Sequence, residues 1–156
     1  KFTILIVGGS QGAKILSKIV PNAISTLPGH IRSKISVVQQ CRPEDLEDVK
    51  RSYLGANVKA ILKTFFHNLP EKIAAAHLVI ARAGASTIAE LLAAGRPSIL
   101  VPYPHAIDHH QTENATAIQA LGGCWLLNES EFTVKTLADL LCSFFHDFKT
   151  YVVRGI

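Results

Sequence analysis

The feature that most limits what this chain can fold into is a repeated alternation of short apolar runs with stretches of helical periodicity. Phe2 to Val7 (FTILIV) reads as a buried strand, and Gln11 to Leu27 as a helix perturbed at Pro21, because proline cannot donate to the helix ladder. Lys34 to Gln39 gives a second strand, Pro43 to Leu54 a helix, and Val58 to Lys63 a third strand. A short loop, Phe65 to Asn68, leads into a helix from Pro70 to Ala76, where proline suits a first turn. Leu78 to Ala81 is a fourth strand, and Ser86 to Ala94 a helix that Gly95 closes as a left-handed cap. Ser98 to Val101, a helix from Gln111 to Leu121, Cys124 to Leu127 and a last helix from Thr133 to Phe145 complete the series. Strands this apolar are covered on both faces, so the expected class is α/β: a Rossmann-like, doubly wound parallel sheet of about six strands.

Composition narrows the functional classes. At 156 residues, the chain is expected to form one domain spanning 1–156, with a real core. A net charge of +4 from dispersed Lys and Arg gives no stripe for nucleic acid, and no nucleic-acid partner is expected. Cys41, Cys124 and Cys142 are scattered and odd in number, which points to free thiols in a reducing compartment rather than to a zinc site or disulfide framework. The most apolar region, Ile73 to Val101, is interrupted by His77, Arg82, Glu90 and Arg96, so it cannot span a bilayer. The opening residues read as a strand and not as a signal peptide. The chain has no methionine and starts directly on that strand, so it is expected to be a piece of a longer protein.

In a doubly wound sheet, ligands bind beyond the carboxyl ends of the strands, so chemistry is sought in the strand-to-helix loops. The first loop, Gly8-Gly9-Ser10-Gln11-Gly12, has two readings. It matches the G-x-S-x-G nucleophile elbow, which would make Ser10 attack a substrate. It also matches a glycine turn that aims helix N–H groups at a phosphate, which would make Ser10 hold one. The elbow needs an oxyanion donor from an earlier strand-loop and marked Asp and His partners; Asp108 and His146 fit only in order. The dinucleotide fingerprint also fails, because Ser10 stands at its second glycine position. A third reading makes the loop a packing turn with Ser10 as N-cap.

The loop Arg82-Ala83-Gly84-Ala85-Ser86-Thr87 opens a second helix, and the two loops could converge on one extended anion. Within it, Thr87-Ile88-Ala89-Glu90 has the spacing of a capping box, and spacing alone favours that role for Glu90 over a carboxylate holding a ribose diol. The segment PYPHAIDHHQTEN, residues 102–114, gathers His105, Asp108, His109 and His110, but lacks helical metal-ligand spacing. It reads as a polar loop in which His110, Gln111 and Asn114 offer hydrogen bonds, with no metal expected.

Taken together, GGSQGA and RAGASTIAELLAAGRPSILVPYPHAIDHHQTENA resemble the C-terminal, donor-binding domain of the MurG family of peptidoglycan N-acetylglucosaminyltransferases, GT-B enzymes of glycosyltransferase family 28. The likeness covers nearly the whole chain. It implies that the chain binds UDP-N-acetylglucosamine as a substrate, with no cofactor or metal. It also implies roles for individual residues. Ser10 and its neighbouring amides would face the diphosphate, and the Phe66 backbone would read the uracil edge. Ala85, Ser86 and Thr87, with Ile88 beside them, would hold the phosphate and ribose region. Glu90 would take the ribose hydroxyls, against the spacing reading, and Gln111 the sugar hydroxyls. Some members carry a glutamine pair where this chain has His110-Gln111.

The implied reaction moves GlcNAc with inversion onto lipid I to form lipid II, on the cytoplasmic side of the bacterial inner membrane. The lipid I site, the catalytic base and the peripheral membrane contact would belong to an N-terminal domain, and the present chain alone would be inactive. Three alternatives remain: another UDP-sugar enzyme with this half-fold, such as a UDP-GlcNAc 2-epimerase; a split donor subunit; and a non-catalytic nucleotide-binding module.

Overall fold

The structure, a computed structural model, describes residues 1–104, 111, 113, 116 and 123–146, with the side chains of residues 10–12 outside that description. Six parallel strands form one sheet: β1 (Phe2–Val7), β2 (Ile35–Gln40), β3 (Lys59–Lys63), β4 (Leu78–Ala81), β5 (Ser98–Leu100) and β6 (Cys124–Leu126). Their spatial order is β3-β2-β1-β4-β5-β6, so the direction of winding reverses between β1 and β4. The expected α/β class and doubly wound sheet are therefore present.

Alternate residues of each strand feed different layers. Ile4, Ile6, Val37, Ile80 and Ile99 face one core, and Leu5, Val7, Val38, Val79 and Leu100 the other. The first layer is closed by α1 (Gly9–Ser25), α3 (Leu46–Gly55) and α6 (Val134–His146), which supply Leu16, Val20, Tyr53, Leu137 and Phe144. The second is closed by α4 (Leu69–Ala75) and α5 (Ala85–Ala94) through Ile73, Ile88 and Leu91. A short helix, α2 (Gly29–Arg32), precedes β2, and a 3-10 turn (Pro43–Asp45) precedes α3. At about 1.5–3 kcal/mol for each buried Leu or Ile, these two layers are the main source of stability.

Helix α1 runs through Pro21 to Ser25, past the position where the sequence leads one to expect a perturbation. Pro21 is buried, and the Ser25 hydroxyl donates to its carbonyl at 2.7 Å. Gly95 closes α5 at φ 64°, as its sequence position implies. Of the helix expected at 111–121, residues 111, 113 and 116 are described and are helical; the rest lies outside the described residues. Among the described residues, no helix is long and apolar enough to cross a membrane.

Candidate functional site

The reversal between β1 and β4 sets the loops after these strands side by side. Val7 pairs with Ala81 in the ladder, and the Arg82 N–H donates to the Val7 carbonyl at 3.3 Å. Helices α1 and α5 both start here, so the positive ends of two helix dipoles share one crevice. The expected convergence of the two loops is thus built into the sheet order.

The ends differ in detail. Helix α1 begins at Gly9, with Gly8 as N-cap and no capping side chain from that position. The reading that makes Ser10 the N-cap is therefore corrected, since Ser10 already lies inside the first turn. Gly9 takes φ +67°, a left-handed conformation that requires glycine, and the space where a Cβ would stand is open. The cap comes from another strand. Gln40, the last residue of β2, accepts from the Gly9 N–H at 3.0 Å and the Gly8 N–H at 3.3 Å through Oε1. Its Nε2 donates to the Thr64 carbonyl at 3.3 Å.

Helix α5 begins at Ala85 behind Gly84, again with no capping side chain. The capping box expected from Thr87 and Glu90 does not form, because the helix opens before Thr87 and Glu90 falls in its second turn. Instead, Glu90 Oε2 is buried without a hydrogen-bond partner among the described residues. A carboxylate oxygen left so is costly unless something else fills its bonding capacity. The first internal bond of α5 is Ile88 N–H to the Gly84 carbonyl at 3.0 Å, so the preceding amides at Ala85, Ser86 and Thr87 have no helical acceptor. Ala85 and Ser86 are exposed, Thr87 is half-buried, and the Ile88 side chain packs in the second core.

Arg82 anchors this second loop from below. Its guanidinium is buried and donates to the carbonyls of Val101 and Pro102, each at 3.2 Å, and to Glu129 at 2.9 Å. It also sits 5.3 Å from the centre of the Tyr103 ring. Arg82 thus ties the ends of β4, β5 and β6 together as an internal strut. Gln111 Oε1 accepts from the Tyr103 N–H at 2.7 Å, which fixes the loop after β5. His105, Asp108, His109, His110 and Asn114 lie outside the described residues.

Phe66 inserts its ring into the second core, leaving its peptide in the loop after β3. Between that loop and the glycine loop is a cleft of about 550 Å³, bordered by Gly9, Gln40, Cys41, Arg42, Thr64 and Phe65. Arg42 is held by Asp45 through two bonds of 2.7 and 3.1 Å, and the guanidinium keeps the Asp45 carboxyl below the usual carboxylate range. Burial raises the Cys41 thiol and pushes Cys124 up to about 11, so both stay protonated at neutral pH.

The nucleophile-elbow reading fails on topology. His146 ends α6, which runs back across the sheet, so it lies at the opposite edge from the glycine loop. There its neighbour Phe145 packs 4.5 Å from Phe2 at the start of β1. Sequence reasoning passed over Gln40 and the strut role of Arg82. The available signal was a polar residue at the carboxyl end of an otherwise apolar parallel strand in each case.

Comparisons with known proteins agree with this architecture. Residues 3–150 match the model of the glycosyltransferase family 28 C-terminal domain. The chain is 56% identical over 142 residues to the UDP-N-acetylglucosamine–N-acetylmuramyl-(pentapeptide) pyrophosphoryl-undecaprenol N-acetylglucosamine transferase of Paramagnetospirillum magneticum, covering 91% of this chain and 38% of that protein. The protein of the same name from Rhodospirillum centenum is 51% identical over 144 residues, covering 92% and 38%. The chain therefore spans little more than a third of the length of these relatives. Among solved structures, Acinetobacter baumannii MurG superposes with a TM-score of 0.84 at 30% identity, covering 99% of this chain and 46% of that one. The UDP-GlcNAc 2-epimerase of Neisseria meningitidis shares the fold alone, with a TM-score of 0.65 at 12% identity, covering 99% of this chain and 38% of that one. The family-model match over nearly the whole length places this chain in the glycosyltransferase family 28 C-terminal domain family.

Proposed function

We propose that this chain is the donor-binding half of an inverting N-acetylglucosaminyltransferase that moves GlcNAc from UDP-GlcNAc to lipid I, forming lipid II for peptidoglycan. The observation that carries this reading is the pairing of two helix N-termini across the β1/β4 reversal, where an extended diphosphate meets amides from both. The unpartnered Glu90 Oε2 supports it: a ribose diol supplies two hydroxyl donors for a carboxylate that the fold leaves unsatisfied.

In this reading the Phe66 peptide meets the uracil edge. Ser10 and the first-turn amides of α1 hold the diphosphate, together with Ala85, Ser86 and Thr87, while Ile88 fixes α5 beneath them. Gln111 turns its Nε2 end to the sugar. Inverting transfer needs a base on the acceptor hydroxyl and stabilisation of the departing diphosphate. This half supplies the second through backbone amides and helix dipoles, without a metal or cofactor. Ser10 holds the leaving group and is not a nucleophile. Lipid I, the base and a peripheral contact with the cytoplasmic face of the inner membrane fall to a preceding domain.

Titration calorimetry with UDP-GlcNAc, UDP-glucose and NADH tests the proposal. UDP-GlcNAc is expected to bind, UDP-glucose more weakly, and NADH not at all. Binding of NADH without binding of UDP-sugars overturns it.

A further inference from the structure

Among the described residues, Gln40 is the one side chain that bonds both to the glycine loop and to the loop after β3. Its Oε1 accepts from Gly8 and Gly9, and its Nε2 donates to Thr64, two residues before Phe66. The strand beneath it is fixed by the ladder, in which Gln40 pairs with Lys63. Each end of the amide matches its partner: the carbonyl faces two N–H donors, and the NH2 faces a carbonyl.

We infer that Gln40 is a positioning residue that locks the diphosphate-binding and base-binding loops into one preformed site; this rests on the donor-binding reading above. The physical reasoning has two parts. A left-handed glycine at an exposed helix start is free to take other conformations, and the shared Oε1 acceptor holds Gly9 in the one that starts α1. By satisfying Gly8 and Gly9, Gln40 also leaves the later first-turn amides, at Ser10 and Gln11, as the donors for an anion. Through Thr64, the same side chain fixes how far the Phe66 peptide stands from those amides. Gln40 therefore sets the span between base and diphosphate without touching either.

The test uses the full chain with Gln40→Leu and Gln40→Glu, read by amide exchange at Gly8 and Gly9 and by UDP titration. Gln40→Leu removes both arms; exchange at the two glycines is expected to accelerate about tenfold or more. UDP affinity is expected to fall about tenfold, the equivalent of one lost hydrogen bond. Gln40→Glu keeps the acceptor but loses the donor and places a negative charge beside the phosphate. The two glycines should stay protected, while UDP affinity at pH 7 drops further than in Gln40→Leu. Exchange at Gly8 and Gly9 unchanged in Gln40→Leu, or UDP bound as tightly as by the unaltered chain, overturns the inference. If the unaltered chain fails to bind UDP while Gln40→Leu still releases the glycine amides, the clamp stands and the donor reading falls.

Discussion

Between β1 and α1 the chain turns at Gly8 and Gly9, with Gly9 in a left-handed conformation and its amide capped by a residue from another strand. Between β4 and α5 it turns through Arg82, Ala83 and Gly84, with Gly84 at an ordinary φ of −65° and no side-chain cap on the following helix among the described residues. The first loop is held from the side by Gln40, and the second from underneath by Arg82. One helix end has its outermost donors already committed; the other keeps them. The α1 end is therefore fixed from outside by a side chain, whereas the start of α5 is fixed through the residue that precedes its loop. The difference also separates two kinds of glycine: Gly9 is demanded by backbone geometry, whereas Gly84 has an ordinary φ and, among the described residues, open space where a Cβ would stand.

The largest test of this contrast is Arg82→Met. Removing the guanidinium leaves two buried carbonyls without this donor and frees the half-exposed Glu129, and a buried carbonyl left unsatisfied costs about 1–3 kcal/mol. Urea unfolding should show that loss, and a fall below about 1 kcal/mol would mean that the second loop is not held by the strut. Next comes Glu90→Ala. Loss of a charge-assisted hydrogen bond, about 1.5–3 kcal/mol, should weaken UDP binding by at least tenfold in calorimetry. Because Glu90 caps nothing, the melting temperature should hold or rise; unchanged affinity would make Glu90 a buried oddity instead of a ligand residue.

The glycines give the sharpest pair. Gly9→Ala forces a side chain into left-handed backbone and should destabilise by about 1–2 kcal/mol. Gly84→Ala meets open space at an ordinary φ, so stability should stay within about 0.5 kcal/mol while UDP affinity falls if the ligand passes close to that backbone. Equal stability losses at the two positions would erase the distinction between the loops.

The smallest effect belongs to the opposite edge of the sheet and serves as a control. His77 Nδ1 accepts from the Thr3 N–H at 3.0 Å, and burial lowers the ring's pKa below its ordinary value of 6.5. The unfolded chain therefore binds the proton more readily. This contribution to stability is complete above pH about 6.5 and fades as pH falls through the lowered folded value. Melting curves of the parent and of His77→Gln should converge in that acid range, with both loops unaffected.

Much of the fold could be read from the chain itself. Strands such as LVIA are apolar on both faces because both faces are buried, and that signal is local. Gly95 announced its left-handed cap in the same way. Several boundaries moved by a residue or two, and the ones that matter for the site are two helix starts, where Gly9 and Ala85 already belong to the helix and the capping signals lie downstream of the true opening. That is why a T-x-x-E pattern was misleading at Thr87. Gln40 and Arg82 were hidden for a different reason: their partners are 31, 32 and 47 residues away, and only sheet order brings them together. For the site, the loops were legible and the struts between them were not.

Gln39, next to the clamp, is fully buried on the other face of β2, where its Oε1 accepts from the Tyr53 hydroxyl at 2.6 Å. Two consecutive glutamines thus have partners on opposite sides of one strand. A slip of β2 by a single position would push one amide into hydrocarbon and pull the other out of its loop, so each misaligned state leaves polar groups stranded. The pair acts as a proofreading mark for sheet assembly: among competing alignments, only the native one satisfies both residues together.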